Sequence, residues 1–155
     1  MAAGKTTVGR ELARRLDVPF FDLDEWVERR ASASIAEIFG SRGEDAFRDL
    51  ESAELERLAV DEPGVVALGG GTVLRRANRA LIRRAGRLVW LDTDRSSILS
   101  RLRRDRPSRP LYLDAHTAAQ LLDERRPIYR DCDLAVRVAP GQSPAEVAAA
   151  ILDRF

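Results

Sequence analysis

Apolar positions along this chain change their period several times, and each change marks an element. Val8, Leu12, Ala13 and Leu16 recur at helical spacing, which predicts a helix over residues 6–16 that stops near Asp17, Val18 and Pro19. The run PFFDLD (19–24) predicts a short buried strand ending in acidic residues. Helical spacing resumes in EWVERRASASIAEIF, with a break around residues 31–34, where Ser34 followed by Glu37 has the form of a capping box. Residues 43–60 predict a long amphipathic helix, and GVVALGGG (64–71) predicts a buried strand running into three glycines. ANRALIRRAG reads as a helix, RLVWLDT (87–93) as a strand and residues 96–104 as a helix. RDRPSRPLYLD (104–114), rich in arginine and proline, predicts a loop or mobile segment. A mostly helical stretch covers 117–129 and a last strand 133–138. The final helix has Ser143 as cap and Pro144 in its first turn.

Strands therefore alternate with helices, with no internal repeat and no linker. That alternation predicts one domain built on a parallel sheet, with right-handed crossovers and both faces covered. Four strands are expected, near 20–24, 65–69, 87–92 and 133–138. Because a helix opens the chain, a strand ahead of it is the natural expectation.

Composition narrows the class. At 155 residues, 45% hydrophobic and 33% charged, the chain has the profile of a soluble globular domain with a sizeable core. No apolar run approaches the roughly 20 residues that span a bilayer, and no signal-like segment opens the sequence. The single cysteine, Cys132, offers neither an internal disulfide nor a clustered metal site. A cytoplasmic setting follows as the expectation, with no membrane partner. Twenty-six basic residues against 25 acidic ones give no electrostatic sign of a nucleic-acid partner. Lys5 is the only lysine, and it stands directly after a glycine at a helix start.

Several short stretches carry candidate chemistry. MAAGKTT holds the closing G-K-T of a phosphate-binding loop, without the opening glycine or the strand that feeds it. At a helix start, outward-facing N–H groups bind phosphate oxygens, a lysine reaches the terminal phosphates, and the Thr6 hydroxyl suits Mg²⁺. Alone, the three-residue match is a weak signal. In the DLD stretch, strand alternation would turn Asp22 and Asp24 to one side. One could then serve Mg²⁺ through water and the other a substrate hydroxyl; the plainer role for Asp24 is a helix cap. Gly69, Gly70 and Gly71 at a strand end allow close backbone approach, or simply a tight turn. Arg48, Arg109 and Arg130 are each ordinary in so arginine-rich a chain, and Arg48 alone reads as a surface ion pair.

In order and in register, the stretches AGKTTVGRELA, FFDLD, SIAEIF, GEDAFRDLE, ALGGGTV, RPLY and RPIYR resemble shikimate kinase over nearly the whole chain. The resemblance implies a three-layer α/β P-loop fold of the nucleoside-monophosphate-kinase type. Its five-stranded parallel sheet would have a first strand that is not found in this sequence. It also implies transfer of phosphate from ATP, with Mg²⁺, to the 3-hydroxyl of shikimate, in the pathway to chorismate and the aromatic amino acids. Carried over by position, Ala2, Ala3, Gly4, Lys5, Thr6 and Thr7 would form the ATP loop. Thr6 would ligate Mg²⁺, with Asp22 a second contact through water. Asp24 would hold shikimate hydroxyls and is the candidate acceptor of the proton from the attacking one. Arg48 and Arg130 would clamp the shikimate carboxylate, while Gly70 and Gly71 would line the same pocket. Arg109 would stabilise the transferring phosphate from a lid at about 104–114. Gln142 would contact the nucleotide, and Arg103 or Arg104 would stack on adenine. A monomer is the family-like expectation.

Met1, the only methionine, stands two residues ahead of AGK and resembles an internal family methionine. The expectation is therefore that the native protein begins about ten residues upstream. Without those residues the chain would lack a usually central strand, between the third and fourth, and expose their edges. Two other readings share some of these features. Another small-polyol P-loop kinase, such as a gluconate kinase, shares the loop and the lid. A non-catalytic ligand-sensing domain shares the fold, but the sequence holds no helix-turn-helix to go with it.

Overall fold

A computed structural model describes residues 2–61, 63–104 and 115–155, and the side chains of residues 61, 102–104, 115 and 116 lie outside that description. The elements follow the alternation expected from the sequence: α1 (Lys5–Leu16), β1 (Phe20–Asp22), α2 (Leu23–Ala31), α3 (Ile35–Asp61) and β2 (Val65–Ala67) come first. A 3₁₀ turn (Thr72–Leu74), α4 (Arg76–Ala85), β3 (Val89–Thr93), α5 (Arg95–Arg104), α6 (Ala115–Tyr129), β4 (Leu134–Val138) and α7 (Pro144–Leu152) complete the order.

The local signals acted where the sequence placed them. Ser34 and Glu37 exchange the bonds of a capping box at the start of α3, and Ser143 with Glu146 does the same for α7, with Pro144 in its first turn. Ser32, left-handed at φ 50°, turns the chain between α2 and α3. Gly43, at φ 80°, breaks α3 into two helical pieces.

The DLD stretch departs from expectation. The strand ends at Asp22, whose carboxylate accepts the Asp24 N–H at 3.2 Å and so starts α2. Asp24 therefore projects from a helical first turn, not from a strand, and Leu23 is fully buried as a helix residue.

All strand pairs are parallel. β1 pairs with β2, Phe20 opposite Val65, and β3 pairs with β4, Val89 opposite Leu134. Among the described residues these are two separate two-stranded ladders, not one continuous sheet. Between the facing edges of β2 and β3 lies a cavity of about 810 Å³, lined by Leu12, Leu58, Val66, Leu68, Val89 and Leu91 among others. Leu16, Val60 and Phe155, each about half or more exposed, stand at its wall. A gap was expected between the strands near 87–92 and 133–138; the opening lies instead between β2 and β3. The third and fourth strands present, β3 and β4, are paired to each other.

Each ladder carries its own core. Val8 of α1 and Val147 and Ile151 of α7 pack on Leu91, Val136 and Val138 of β3 and β4. Leu23, Leu55, Leu58, Val73 and Ile82 fill the space among α2, α3, α4 and the β2 end. Helix α1 packs against α7 and β2, and so ties the two ladders together. No helix is long and apolar enough among the described residues to cross a membrane.

Candidate active site

The N-terminus of α1 faces a recess of about 380 Å³ lined by residues 2–8, Arg101, Val138, Gln142, Pro144 and Val147. Gly4 precedes the helix at φ 89°, a left-handed turn that glycine adopts freely, and its carbonyl accepts both the Val8 N–H and the Thr7 hydroxyl. Ala2, Ala3, Gly4, Lys5, Thr6, Thr7 and Gln142, all expected at a nucleotide, thus line one recess. Its size and helix-terminal N–H groups suit the phosphate end of a nucleotide. Arg101, which the sequence reading passed over for Arg103 or Arg104, donates to the Ala2 carbonyl at 3.2 Å and lies across the loop. The signal was its helical phase: it lies three residues beyond Ile98, the buried anchor of α5.

The Thr6 hydroxyl donates to Asp22 Oδ2 at 2.8 Å. A hydroxyl and a carboxylate oxygen thus stand side by side at the mouth of the loop. That hard-oxygen pair suits Mg²⁺, which keeps most of its waters and takes one or two protein oxygens along with substrate phosphates. No cluster of three acidic, histidine or cysteine side chains exists among the described residues, so a fully protein-made cage is not the arrangement here.

The second half of the site is built around the three glycines. Arg48 is 8% exposed, not a surface residue. Its guanidinium meets Glu51 at 2.8 Å and Glu44 at 3.1 Å. Burial works against its charge, but the two carboxylates outweigh it and raise the Arg48 pKa above its ordinary value. Glu51 is fully buried and also accepts the Thr72 hydroxyl at 2.6 Å. A Cβ on Gly69 would lie 2.6 Å from Glu51 Oε1 and 3.0 Å from Asp24 Oδ1, and one on Gly71 would lie 2.3 Å from Arg48 Nη2. Asp24 thus abuts Gly69 and Arg48 abuts Gly71, and Lys5 shares a cavity wall with Gly69 and Gly70. Glu51 and Thr72 were not foreseen; a glutamate three residues after an arginine on a helix was the available signal.

Arg130 stands differently from its expected place. It is exposed beyond the last turn of α6, its N–H bonded to the Arg126 carbonyl. Arg125, one helical turn before Tyr129 and on the same face, stands near enough for its charge to act on the Tyr129 hydroxyl, whose pKa burial raises. That hydroxyl donates to the Gly70 carbonyl at 2.6 Å. The expected contacts of Arg109 and of a lid at 104–114 lie outside the described residues, as do the side chains of Arg103 and Arg104.

Comparison with known proteins finds relatives both by sequence and by fold. The family model described as Shikimate kinase matches residues 1–155. A shikimate kinase of Cereibacter sphaeroides is 44% identical over 144 residues, which cover 91% of this chain and 72% of that protein. A Synechococcus shikimate kinase is 44% identical over 151 residues, covering 96% and 79%. Among solved structures, shikimate kinase from Acinetobacter baumannii in complex with shikimate superposes with a TM-score of 0.94 at 35% identity, covering 99% of this chain and 87% of that one. The shikimate kinase of Aquifex aeolicus gives 0.85 at 36% identity, covering 98% and 89%.

Proposed function

The chain belongs to the shikimate kinase family, ATP-dependent enzymes that phosphorylate a shikimate hydroxyl, and on that premise we propose how its own residues carry the reaction. The observation that carries the reading is the contact chain from α1 to α3. Thr6 bonds Asp22, Asp22 caps the turn that presents Asp24, Asp24 abuts Gly69, and Gly71 lies on Arg48. A phosphate-binding helix end and a carboxylate-binding guanidinium are thereby held on one continuous scaffold.

ATP sits in the recess at residues 2–7, with Gln142 and Arg101 at its edge and Lys5 reaching the terminal phosphates. Thr6 would hold Mg²⁺, with Asp22 a contact through water, and the ion would supply charge neutralisation at the phosphates. Arg48 binds the shikimate carboxylate in the forked geometry that guanidinium allows. Arg125 takes the second position that the sequence reading gave to Arg130, because it faces Tyr129 and Arg130 faces solvent. The Gly70 and Gly71 backbone lines the ring. Asp24 holds the attacking 3-hydroxyl and accepts its proton. Beyond positioning and charge, phosphoryl transfer needs little from the protein. Arg109 belongs to this scheme on the resemblance alone. A single-domain monomer in the cytoplasm completes the proposal.

The guanidinium site favours an acid substrate, and the family match favours shikimate over an open-chain polyol acid. The test is ADP release with ATP and Mg²⁺, run with shikimate, with gluconate and with neither. Release that depends on shikimate alone supports the reading, and release driven by gluconate alone overturns it. Replacing Asp24 with Asn is expected to lower kcat by about 10²–10⁴-fold, the range of one acid–base contribution, with an unchanged circular-dichroism spectrum. Unchanged turnover would remove Asp24 from the reaction.

A further inference from the structure

The bond between the Tyr129 hydroxyl and the Gly70 carbonyl reaches from the last turn of α6 to the glycine loop. It joins residues 59 positions apart and fixes one specific peptide plane. No peptide bond among the described residues is cis. In a trans plane the carbonyl of one residue and the N–H of the next point in opposite directions. Holding the Gly70 oxygen toward Tyr129 therefore turns the Gly71 N–H away from α6.

The same residue is confined on other sides. Gly71 lies so close to Arg48 that a Cβ there would sit 2.3 Å from Nη2. The Tyr129 ring packs 6.3 Å from Trp90. The hydroxyl is thus fixed as donor to the loop while its ring is held from the side. We propose that Tyr129 is a positioning residue for the acceptor substrate. Its hydroxyl fixes the Gly70–Gly71 peptide plane and so aims the Gly71 N–H at the ligand. Burial raises the phenol above its ordinary value, so it remains a hydrogen-bond donor throughout the neutral range. The inference rests on the substrate reading given above.

Tyr129→Phe removes the hydroxyl and keeps the ring against Trp90. Shikimate binding by calorimetry and steady-state kinetics on the full 155-residue chain test the idea. The expected result is a shikimate Kd and KM raised by about tenfold, which corresponds to the loss of one or two hydrogen bonds. The KM for ATP, the kcat at saturating shikimate and the thermal midpoint are expected to stay near the parent values. A merely structural tyrosine would lower the midpoint and disturb both substrates alike. Shikimate affinity unchanged in Tyr129→Phe overturns the inference, and so does an equal loss of ATP affinity. If the parent chain itself binds no shikimate, the substrate reading fails, a result distinct from either outcome with the variant.

Discussion

Gly71 shows how little room the acceptor pocket leaves. Its backbone sits at φ −97°, which any residue can adopt, so the obstacle to substitution is the neighbouring side chain alone. An alanine methyl would meet the Arg48 guanidinium at 2.3–2.4 Å, and Arg48 is held in place by Glu44 and Glu51. Gly71→Ala is therefore expected to displace Arg48 and weaken shikimate affinity by about tenfold or more, because a guanidinium–carboxylate contact is among the stronger hydrogen-bonded pairs. ATP affinity should hold, and parallel titrations of the two ligands would show the split. At this scale the sequence was partly legible. Lys5, Thr6 and Asp22 announced themselves through motif and position. The Arg48 ion pair looked superficial because a sequence does not tell which face of α3 is buried. Arg130 was placed by its motif; the structure leaves it exposed while Tyr129 meets the glycine loop, and the assignment of Arg125 rests on sharing that face of α6.

Elements were legible where local chemistry fixes them. Two serine–glutamate capping boxes start α3 and α7, and both glutamates have pKa values lowered from 4.5, first by the serine hydroxyl and then by the serine N–H. A carboxyl that titrates lower in the folded state stabilises fully above pH 4.5, and that contribution disappears as pH falls through the lowered value. Thermal midpoints of the parent and Glu146→Gln should therefore differ near neutral pH and converge as pH falls below the lowered value. A constant difference down to acid would mean that the glutamate's charge is not what stabilises the cap. Strand ends were less legible. DLD alternates as a strand does, but the Asp22 carboxylate captures the Asp24 N–H and begins a helix two residues early. Side-chain capping, not apolar period, sets that boundary.

For the whole molecule, parallel alternation and a break in the sheet were expected from the sequence, but not the break's place between β2 and β3, since pairing depends on which strand edges meet. The cavity between β2 and β3 makes a measurable difference. An environment-sensitive apolar dye should bind there and fluoresce. Val60→Glu, at a position 83% exposed on its wall, should reduce that signal with little change in thermal midpoint, as exposed substitutions shift stability by about 0.5 kcal/mol or less. Full dye fluorescence in the variant would place the dye elsewhere. The same opening also separates two chemical duties. The recess holding Gln142 and Arg101 borders β4, whereas Asp24 opens the helix after β1 and the glycines follow β2. Donor and acceptor thus ride on opposite banks of one channel, bridged chiefly by α1. Whatever fills the channel becomes a gauge block: its thickness sets how far the leaving phosphate stands from the oxygen that receives it. Because an error of about 1 Å in such a gap can cost 10²-fold in rate, apolar packing remote from either ligand governs the tempo of the chemistry.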